Sequence, residues 1–122
     1  MKFARDPQSA VTVRHVERGM LRIGNDEVRE NVVLFRDTVH RGWDGGAVEN
    51  LSEADFATLL DDAPEVVILG TGWRTRRPPR ELVFAMARRG VGFEVMDTPA
   101  ACRTFNILIG EDRDVAAILL LD

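Results

Sequence analysis

Apolar residues follow two different patterns along this chain, and the pattern in the second half is the more regular. Val66–Leu69 and Val115–Leu121 are apolar at every position, which is typical of strands buried on both faces of a sheet. Val91–Met96 is a further short, largely apolar run and predicts a third strand. The intervals between the three runs are long enough for helices, so the pattern predicts a β-α-β-α-β half.

Apolar residues at helical spacing occupy both intervals between these strands. The predicted inward-facing positions are Leu82, Val83 and Met86 in the first helix and Cys102, Phe105 and Ile109 in the second. Pro78-Pro79 opens the first helix, while Thr98 as the N-cap and Pro99 at the first helical position open the second. Where the strands are parallel, the connections are expected to be right-handed crossovers.

Short strands separated by turn residues are predicted over the first third of the chain. Ala10–Val16 alternates in part, and Met20–Ile23 is followed, after a turn at Gly24–Glu27, by a strand over Val28–Phe35. A last short strand runs from Thr38 toward Trp43. We therefore expect a small antiparallel β unit at the N-terminal end of the fold.

One further helix is predicted between the two halves. Ser52 is a suitable N-cap with Asp55 three residues later, and Pro64 ends the helix. Together the elements predict the α/β class, with residues 1–122 forming a single domain, because domains commonly have about this length.

The overall composition predicts a soluble protein with an acidic balance. The formal net charge of −4 argues against general nucleic-acid binding, which requires a basic face. Met1–Pro7 contains no apolar run, so no signal peptide is expected. The longest apolar run is far shorter than the ~20 residues that a spanning helix needs. We therefore expect a cytoplasmic protein without a transmembrane segment.

Cysteine and histidine are too few for most disulfide or metal chemistry. Cys102 is the only cysteine, which rules out an intramolecular disulfide and suits a reducing compartment. His15 and His40 are the only histidines and lie far from Cys102 along the chain. We therefore predict no metal site, no cofactor and no catalytic residues.

The last predicted helix carries two side chains whose roles are open. A thiol in its first turns, as Cys102 is, can have a lowered pKa. Cys102 shares an apolar face with Phe105, however, so a buried and unreactive thiol is the favoured interpretation. Asn106 lies beside that face, and its amide is expected to bond to the loops around Gly70 or Thr98 because buried amides need partners.

A glycine-arginine loop is the principal candidate site. It covers Gly70–Arg77 and begins where the first buried strand ends, while Thr98 lies where the next strand ends. In open α/β sheets the carboxyl ends of the strands are where ligands and partners bind. The residues predicted to bind a ligand or partner are Gly70, Thr71, Gly72, Trp73, Arg74, Arg76, Arg77 and Thr98.

Several interpretations of this loop are open. A dinucleotide site is disfavoured because the third glycine of that motif would fall at Thr75 and the next helix begins too late. Backbone N–H groups and guanidinium groups suit a small anion, whereas a solvated basic loop would pair its arginines with nearby acids. An exposed Trp73 beside arginines is typical of a protein interface.

Three segments of the chain resemble the complex I assembly factor 3-like family. They are Val67–Thr75, Gly90–Pro99 and Ala101–Leu108, within a similarity that runs from about Gly19 to Leu120. The resemblance implies a three-layer α/β fold with a central mixed sheet. The family's mitochondrial members are non-enzymatic and work with protein partners to assemble the respiratory NADH–ubiquinone oxidoreductase, and its bacterial members are mostly uncharacterised. It supplies no catalytic residues.

The leading hypothesis is a non-enzymatic protein-interaction or assembly module. A protein partner is then expected, and any peripheral membrane association would occur through that partner. The alternative is a small-anion or metabolite-binding module at the Gly70–Arg80 loop. Thiol chemistry at Cys102 is a third possibility that we do not expect, because nucleophilic catalysis also needs a positioned base.

Overall fold

The computed structural model of the protein describes residues 11–122, so Ala10, where the first predicted strand begins, lies outside the described residues. Strands and helices follow one another in the order predicted for an α/β protein. In chain order the elements are β1 (Val13–Glu17), β2 (Met20–Ile23), β3 (Asp26–Val28), β4 (Val32–Phe35), β5 (Thr38–Arg41), 3-10 helices at Val48–Asn50 and Glu53–Phe56, α1 (Ala57–Asp61), β6 (Val66–Thr71), α2 (Arg80–Arg88), β7 (Gly92–Met96), α3 (Thr98–Gly110) and β8 (Val115–Leu120).

A five-stranded mixed sheet forms the centre of the fold, with the strand order β5-β4-β8-β6-β7. Strand β6 pairs in parallel with both β7 and β8, and β4 pairs antiparallel with both β8 and β5. Every residue of β6 and of β8 is buried, as expected for apolar strands covered on both faces. The predicted central mixed sheet is confirmed.

Two layers cover this sheet, so the three-layer α/β prediction is also confirmed. Helix α3 and a three-stranded sheet of order β1-β2-β3 pack on one face, and the 3-10 helices, α1 and α2 pack on the other. Alternate residues of the central strands separate the two cores. Those facing α3 include Val32, Leu34, Ile68, Ala117 and Leu119, and those facing α2 include Val33, Val67, Leu69, Ile118 and Leu120.

The single strand predicted over Val28–Phe35 is wrong, because this segment contributes to two sheets. Strand β3 ends at Val28, and the chain then crosses to the central sheet, where all of Val32–Phe35 is buried. Four consecutive buried residues need cover on both faces, which the edge of a small antiparallel sheet does not provide. Asn31 stabilises the crossing, since its Oδ1 accepts a hydrogen bond from the Leu121 N–H at 2.9 Å.

Helix α2 buries a narrower face than predicted. Leu82 and Met86 are buried as expected, but Ala85 completes the inner face, and Val83 is 41% exposed. Successive helical residues are about 100° apart, so Leu82, Ala85 and Met86 cluster on one side and Val83 lies on the flank. The prediction for Val83 is wrong because the helix contacts the sheet along one narrow stripe.

Two details of α3 also differ from expectation. Asp97, not Thr98, is the N-cap, and its carboxylate accepts a hydrogen bond from the Ala100 N–H at 2.8 Å. The Asn106 amide bonds to neither Gly70 nor Thr98. It donates to the Val13 carbonyl at 2.8 Å and accepts from the Val13 N–H at 3.0 Å, which fastens α3 to β1.

Candidate functional site

Thr98 joins three elements beneath the glycine-arginine loop. Its side chain is fully buried; the hydroxyl donates to the Leu120 carbonyl at 2.5 Å and accepts from the Gly72 N–H at 2.9 Å. The Thr98 N–H in turn donates to the Gly72 carbonyl at 2.7 Å. We call Thr98, Gly72 and Leu120 the Thr98 junction. Because these bonds already engage the hydroxyl as donor and as acceptor, we assign Thr98 a role in supporting the loop.

The glycines of the loop allow the chain to approach its neighbours closely. A Cβ atom at Gly70 would lie 2.9 Å from the Thr98 Oγ1 and 3.0 Å from the Ala101 Cβ. Gly72 has a φ of +96°, and a Cβ there would overlap the backbone carbonyl of Asp122. Both glycines are buried. A side chain at Gly70 would meet α3, and one at Gly72 would meet Asp122, just beyond β8.

Thr71 fixes the shape of the loop from inside. Its buried hydroxyl donates to the Arg74 carbonyl at 2.7 Å and accepts from the Arg76 N–H at 3.1 Å. The Met96 carbonyl lies 3.3 Å from the same hydroxyl. A turn closed in this way holds Trp73 and Arg74 outward on a fixed backbone.

The outer surface of the loop borders a cleft of about 310 Å³. Its lining, which we call the basic cleft, consists of Arg18, Trp73, Arg74, Arg76 and Asp122. The Arg18 guanidinium carbon lies 5.8 Å from the centroid of the half-buried Trp73 ring, within the range of a cation–π contact. The partial exposure predicted for Trp73 is confirmed.

A carboxylate already neutralises part of the positive charge at the basic cleft. Arg76 makes a two-pronged ion pair with Glu49, at 2.6 and 2.9 Å. The hydrogen bond from Arg76 holds the pKa of the Glu49 carboxyl below its ordinary value, and Arg74 adds a smaller attraction. Arg74 and Arg77 are exposed, and within residues 11–122 neither guanidinium forms an ion pair.

The eight residues predicted as the site therefore divide into two groups. Gly70, Thr71, Gly72 and Thr98 are buried and hold the loop, whereas Trp73, Arg74, Arg76 and Arg77 reach its surface. The sequence contains no signal for the two other members of the basic cleft. Arg18 and Asp122 are brought to the loop only by the tertiary fold, from opposite ends of the described chain.

Cys102 is buried, as predicted, and lines a cleft of about 320 Å³. Burial raises the pKa of its thiol to about 12, and the nearby Arg103 opposes this only in part. His15 lines the same cleft, a proximity that the sequence separation did not suggest. A protonated thiol is a poor nucleophile, so this arrangement does not constitute an activated cysteine.

We predict that native Cys102 reacts slowly with iodoacetamide at pH 8. A thiol of pKa about 12 holds roughly a thousandfold less thiolate at this pH than a free thiol does. Mass spectrometry of the alkylated protein should show rapid labelling only after unfolding in urea. Cys102→Ser should lower the free energy of unfolding by about 1–2 kcal/mol, since it places a hydroxyl in an apolar site. Fast labelling of the folded protein would contradict this prediction.

A third cleft, of about 270 Å³, opens on the face of the central sheet that carries α1. Three aromatic side chains form part of its walls, with Trp43 6.1 Å from Phe56 between ring centroids. Its polar lining residues are His40, Asp55, Thr58 and Asp62. Trp43 is only partly buried. The cleft has no sequence signature because separate strands and helices contribute its walls.

Within residues 11–122, His, Cys, Asp and Glu side chains do not come together in groups of three or more that could hold a metal ion. None of the helices in this range has the length and apolar character needed to cross a bilayer.

Curated relatives share much of this chain. Mouse NADH dehydrogenase (ubiquinone) 1 alpha subcomplex assembly factor 3 is 36% identical over 116 residues, which cover 93% of the chain. The chain spans 62% of that protein's length. The 13 kDa major membrane protein of Francisella tularensis is 29% identical over 73 residues, covering 60% of the chain and 59% of that protein.

Solved bacterial structures share the fold. An NMR structure from Xanthomonas campestris has a TM-score of 0.84 at 27% identity and covers 99% of this chain and 92% of its own. The NMR structure of a Mth938-like domain from Bordetella pertussis has a TM-score of 0.76 at 28% identity, with coverage of 100% and 93%.

The similarity to assembly factor 3 that was predicted from the loop and α3 segments is confirmed by the curated relatives. A family model described as a protein of unknown function (DUF498/DUF598) matches residues 13–120. That range contains all five strands of the central sheet and all three α-helices. The chain therefore belongs to the DUF498/DUF598 family.

Proposed function

We propose that this protein is a non-enzymatic interaction module that takes part in assembling a respiratory NADH–ubiquinone oxidoreductase. The observation that carries the proposal is its 36% identity to the mouse assembly factor over 93% of the chain. The surface that we assign to the partner consists of the basic cleft and Arg77. The protein would act in the cytoplasm, where binding to a membrane-bound complex would bring it to the membrane.

The geometry of the loop supports this assignment. Trp73 and Arg74 stand on a turn closed by the Thr71 hydroxyl and anchored by Thr98. A surface held in one conformation loses little entropy on binding. Tryptophan and arginine are the residue types that most often dominate binding free energy at protein interfaces.

The small-anion alternative would use the same guanidinium groups. Glu49 already engages Arg76, and Asp122 lines the cleft beside Arg74. These carboxylates would compete with a phosphate or carboxylate ligand and repel it. We therefore give the protein interface precedence at this surface.

The absence of catalysis is part of the proposal. The hydroxyls of Thr71 and Thr98 are engaged in structural hydrogen bonds, and the Cys102 thiol is held in its neutral form by burial. A nucleophile needs an accessible, activated atom, and these three side chains do not provide one.

We predict that Trp73→Ala with Arg74→Glu abolishes association with the respiratory complex. The tagged protein would be expressed in a bacterium that contains this complex and lacks its own copy of the gene, and complex subunits would be quantified by mass spectrometry after purification. Recovery should fall about 30-fold or more, because each interface hot spot contributes about 2 kcal/mol or more. The melting temperature should stay close to that of the unaltered protein.

Arg103→Glu is the matched control, since Arg103 is an exposed arginine on α3 and lies outside the basic cleft. Equal recovery of subunits by the double variant and by this control would show that the loop is not the interface. Failure of the unaltered protein to recover any subunit of the complex would contradict the assembly role itself.

A further inference from the structure

The outward face of α2 carries an exposed aromatic side chain between two arginines. Its inward side is made by Leu82, Ala85 and Met86. With about 100° between successive residues, Arg80, Phe84 and Arg88 form one row on the opposite side of the helix. The Phe84 side chain is 54% exposed, and Val83 beside the row is 41% exposed.

The arginines of this row are not neutralised within the protein. Among residues 11–122, no carboxylate lies within ion-pair distance of the Arg80 or Arg88 guanidinium. The adjacent Arg89 contrasts with them, because its guanidinium pairs with Glu53 at 2.5 Å. Glu81 is the single acidic residue of α2. It lies about 100° round the helix from Arg80 and about 20° from Arg88, but two turns before Arg88 along the helix axis.

Helix α3 provides an internal comparison on the opposite side of the central sheet. Its exposed row has the same spacing and consists of Arg103, Ile107 and, just after the helix, Glu111. Ile107 is 60% exposed, slightly more than Phe84. The two helices therefore expose similar apolar side chains, but the α3 row is balanced in charge and the α2 row carries two positive charges.

We propose that the outward face of α2, formed by Arg80, Val83, Phe84 and Arg88, binds directly to an anionic lipid surface. The Phe84 ring would enter the headgroup region, and both guanidinium groups would bond to lipid phosphates, for which their planar geometry is suited. The aliphatic stems of arginine lie along apolar surroundings while the charged ends reach the phosphates. This contact needs no protein partner, so it goes beyond the proposed function.

The composition of the face fits an anionic lipid surface. Its exposed aromatic residue lies at the crest of the helix, between two arginines. An apolar crest flanked by basic residues is the arrangement by which helices lie in a membrane interface.

The acidic net charge does not prevent this contact. Charges are screened over about 8–10 Å at physiological ionic strength, so the face nearest the lipid determines the attraction. Each arginine close to an anionic leaflet contributes favourably, and this contribution falls as salt is added. Binding should therefore depend on anionic lipid and weaken at high salt.

Vesicle flotation of the full chain tests the proposal. Vesicles of phosphatidylcholine alone would be compared with an equal mixture of phosphatidylcholine and phosphatidylglycerol. The unaltered protein should float with the mixed vesicles only. Arg80→Glu with Arg88→Glu should reduce binding about tenfold or more, and Phe84→Ser should reduce it several-fold. Glycerol phosphate in solution, at equal ionic strength, should not displace the protein, which distinguishes a lipid surface from a free phosphate.

The matched controls come from α3, where Arg103→Glu and Ile107→Ser make the same kinds of change on an equally exposed row. Both should bind the mixed vesicles as the unaltered protein does. The Trp73/Arg74 variant should also float, so that loss of the protein partner and loss of lipid binding are separate results. Equal binding by the α2 and α3 variants, or no flotation of the unaltered protein, would overturn the proposal and leave this face to an acidic protein.

Discussion

Replacing Thr98 by valine is expected to lower the free energy of unfolding by about 2–4 kcal/mol. The substitution keeps the shape of the side chain but leaves the Leu120 carbonyl and the Gly72 N–H without their buried partner. Each buried polar group left unpaired costs about 1–3 kcal/mol. Urea denaturation followed by circular dichroism would measure the change, and the loop at Trp73 should become accessible to proteases.

Thr104→Val is the control for this prediction, because it lies in the same helix and its hydroxyl makes only a weak contact with the Met96 sulfur, at 3.4 Å. It should cost much less than Thr98→Val. Thr98→Ser retains the hydroxyl and should recover most of the lost stability. If Thr98→Val and Thr104→Val proved equally stable, the Thr98 junction would not support the loop as described.

Gly72→Ala is expected to destabilise the protein by about 3 kcal/mol. The left-handed backbone at Gly72 costs an alanine about 1–2 kcal/mol, and the overlap of its Cβ with the Asp122 carbonyl adds about 1–3 kcal/mol for overpacking. The two residues that precede Asp122 are held in place, since the Leu120 carbonyl and the Leu121 N–H are hydrogen-bonded to Thr98 and Asn31. Thermal and urea unfolding would both report the loss.

Gly90→Ala separates these two causes. Gly90 also has a positive φ, of +72°, but a Cβ there would have no neighbour within 4 Å. It should therefore show only the backbone cost of about 1–2 kcal/mol. If Gly72→Ala were as stable as Gly90→Ala, the Gly72 backbone and the Asp122 carbonyl would not approach each other as closely as the structure indicates.

The sequence was most informative for strands that are buried on both faces, because such strands have a recognisable apolar pattern. Strand β6 is apolar from Val66 to Leu69 and β8 is apolar along its whole length. This pattern is typical of strands covered on both faces, so their place at the centre of the sheet was predictable. The division of Val28–Phe35 between two sheets was less predictable, because apolar residues at both ends of a segment do not show which sheet each end joins. The polar residues at positions 29–31 mark the crossing.

The sequence predicted that the ends of β6 and β7 lie side by side, but not which residues of the candidate site support the loop and which reach its surface. The carboxyl ends of β6 and β7 were correctly identified as neighbours, since parallel strands end at the same edge of a sheet. Whether a threonine there faces a ligand or its own backbone depends on distances between segments that are remote in sequence. Thr71 and Thr98 face the backbone, and Arg18 joins Trp73 across more than fifty residues.

The Asn106 amide has a consequence for how this protein behaves among copies of itself. Strand β1 is an edge of the three-stranded sheet, and an edge strand offers its free N–H and C=O groups to any passing chain. At Val13 both groups are already bonded to Asn106, whose amide has the same donor and acceptor as a peptide unit. Helix α3 thus takes the place of a fourth strand at this point, and a second molecule finds no open edge at Val13 to extend.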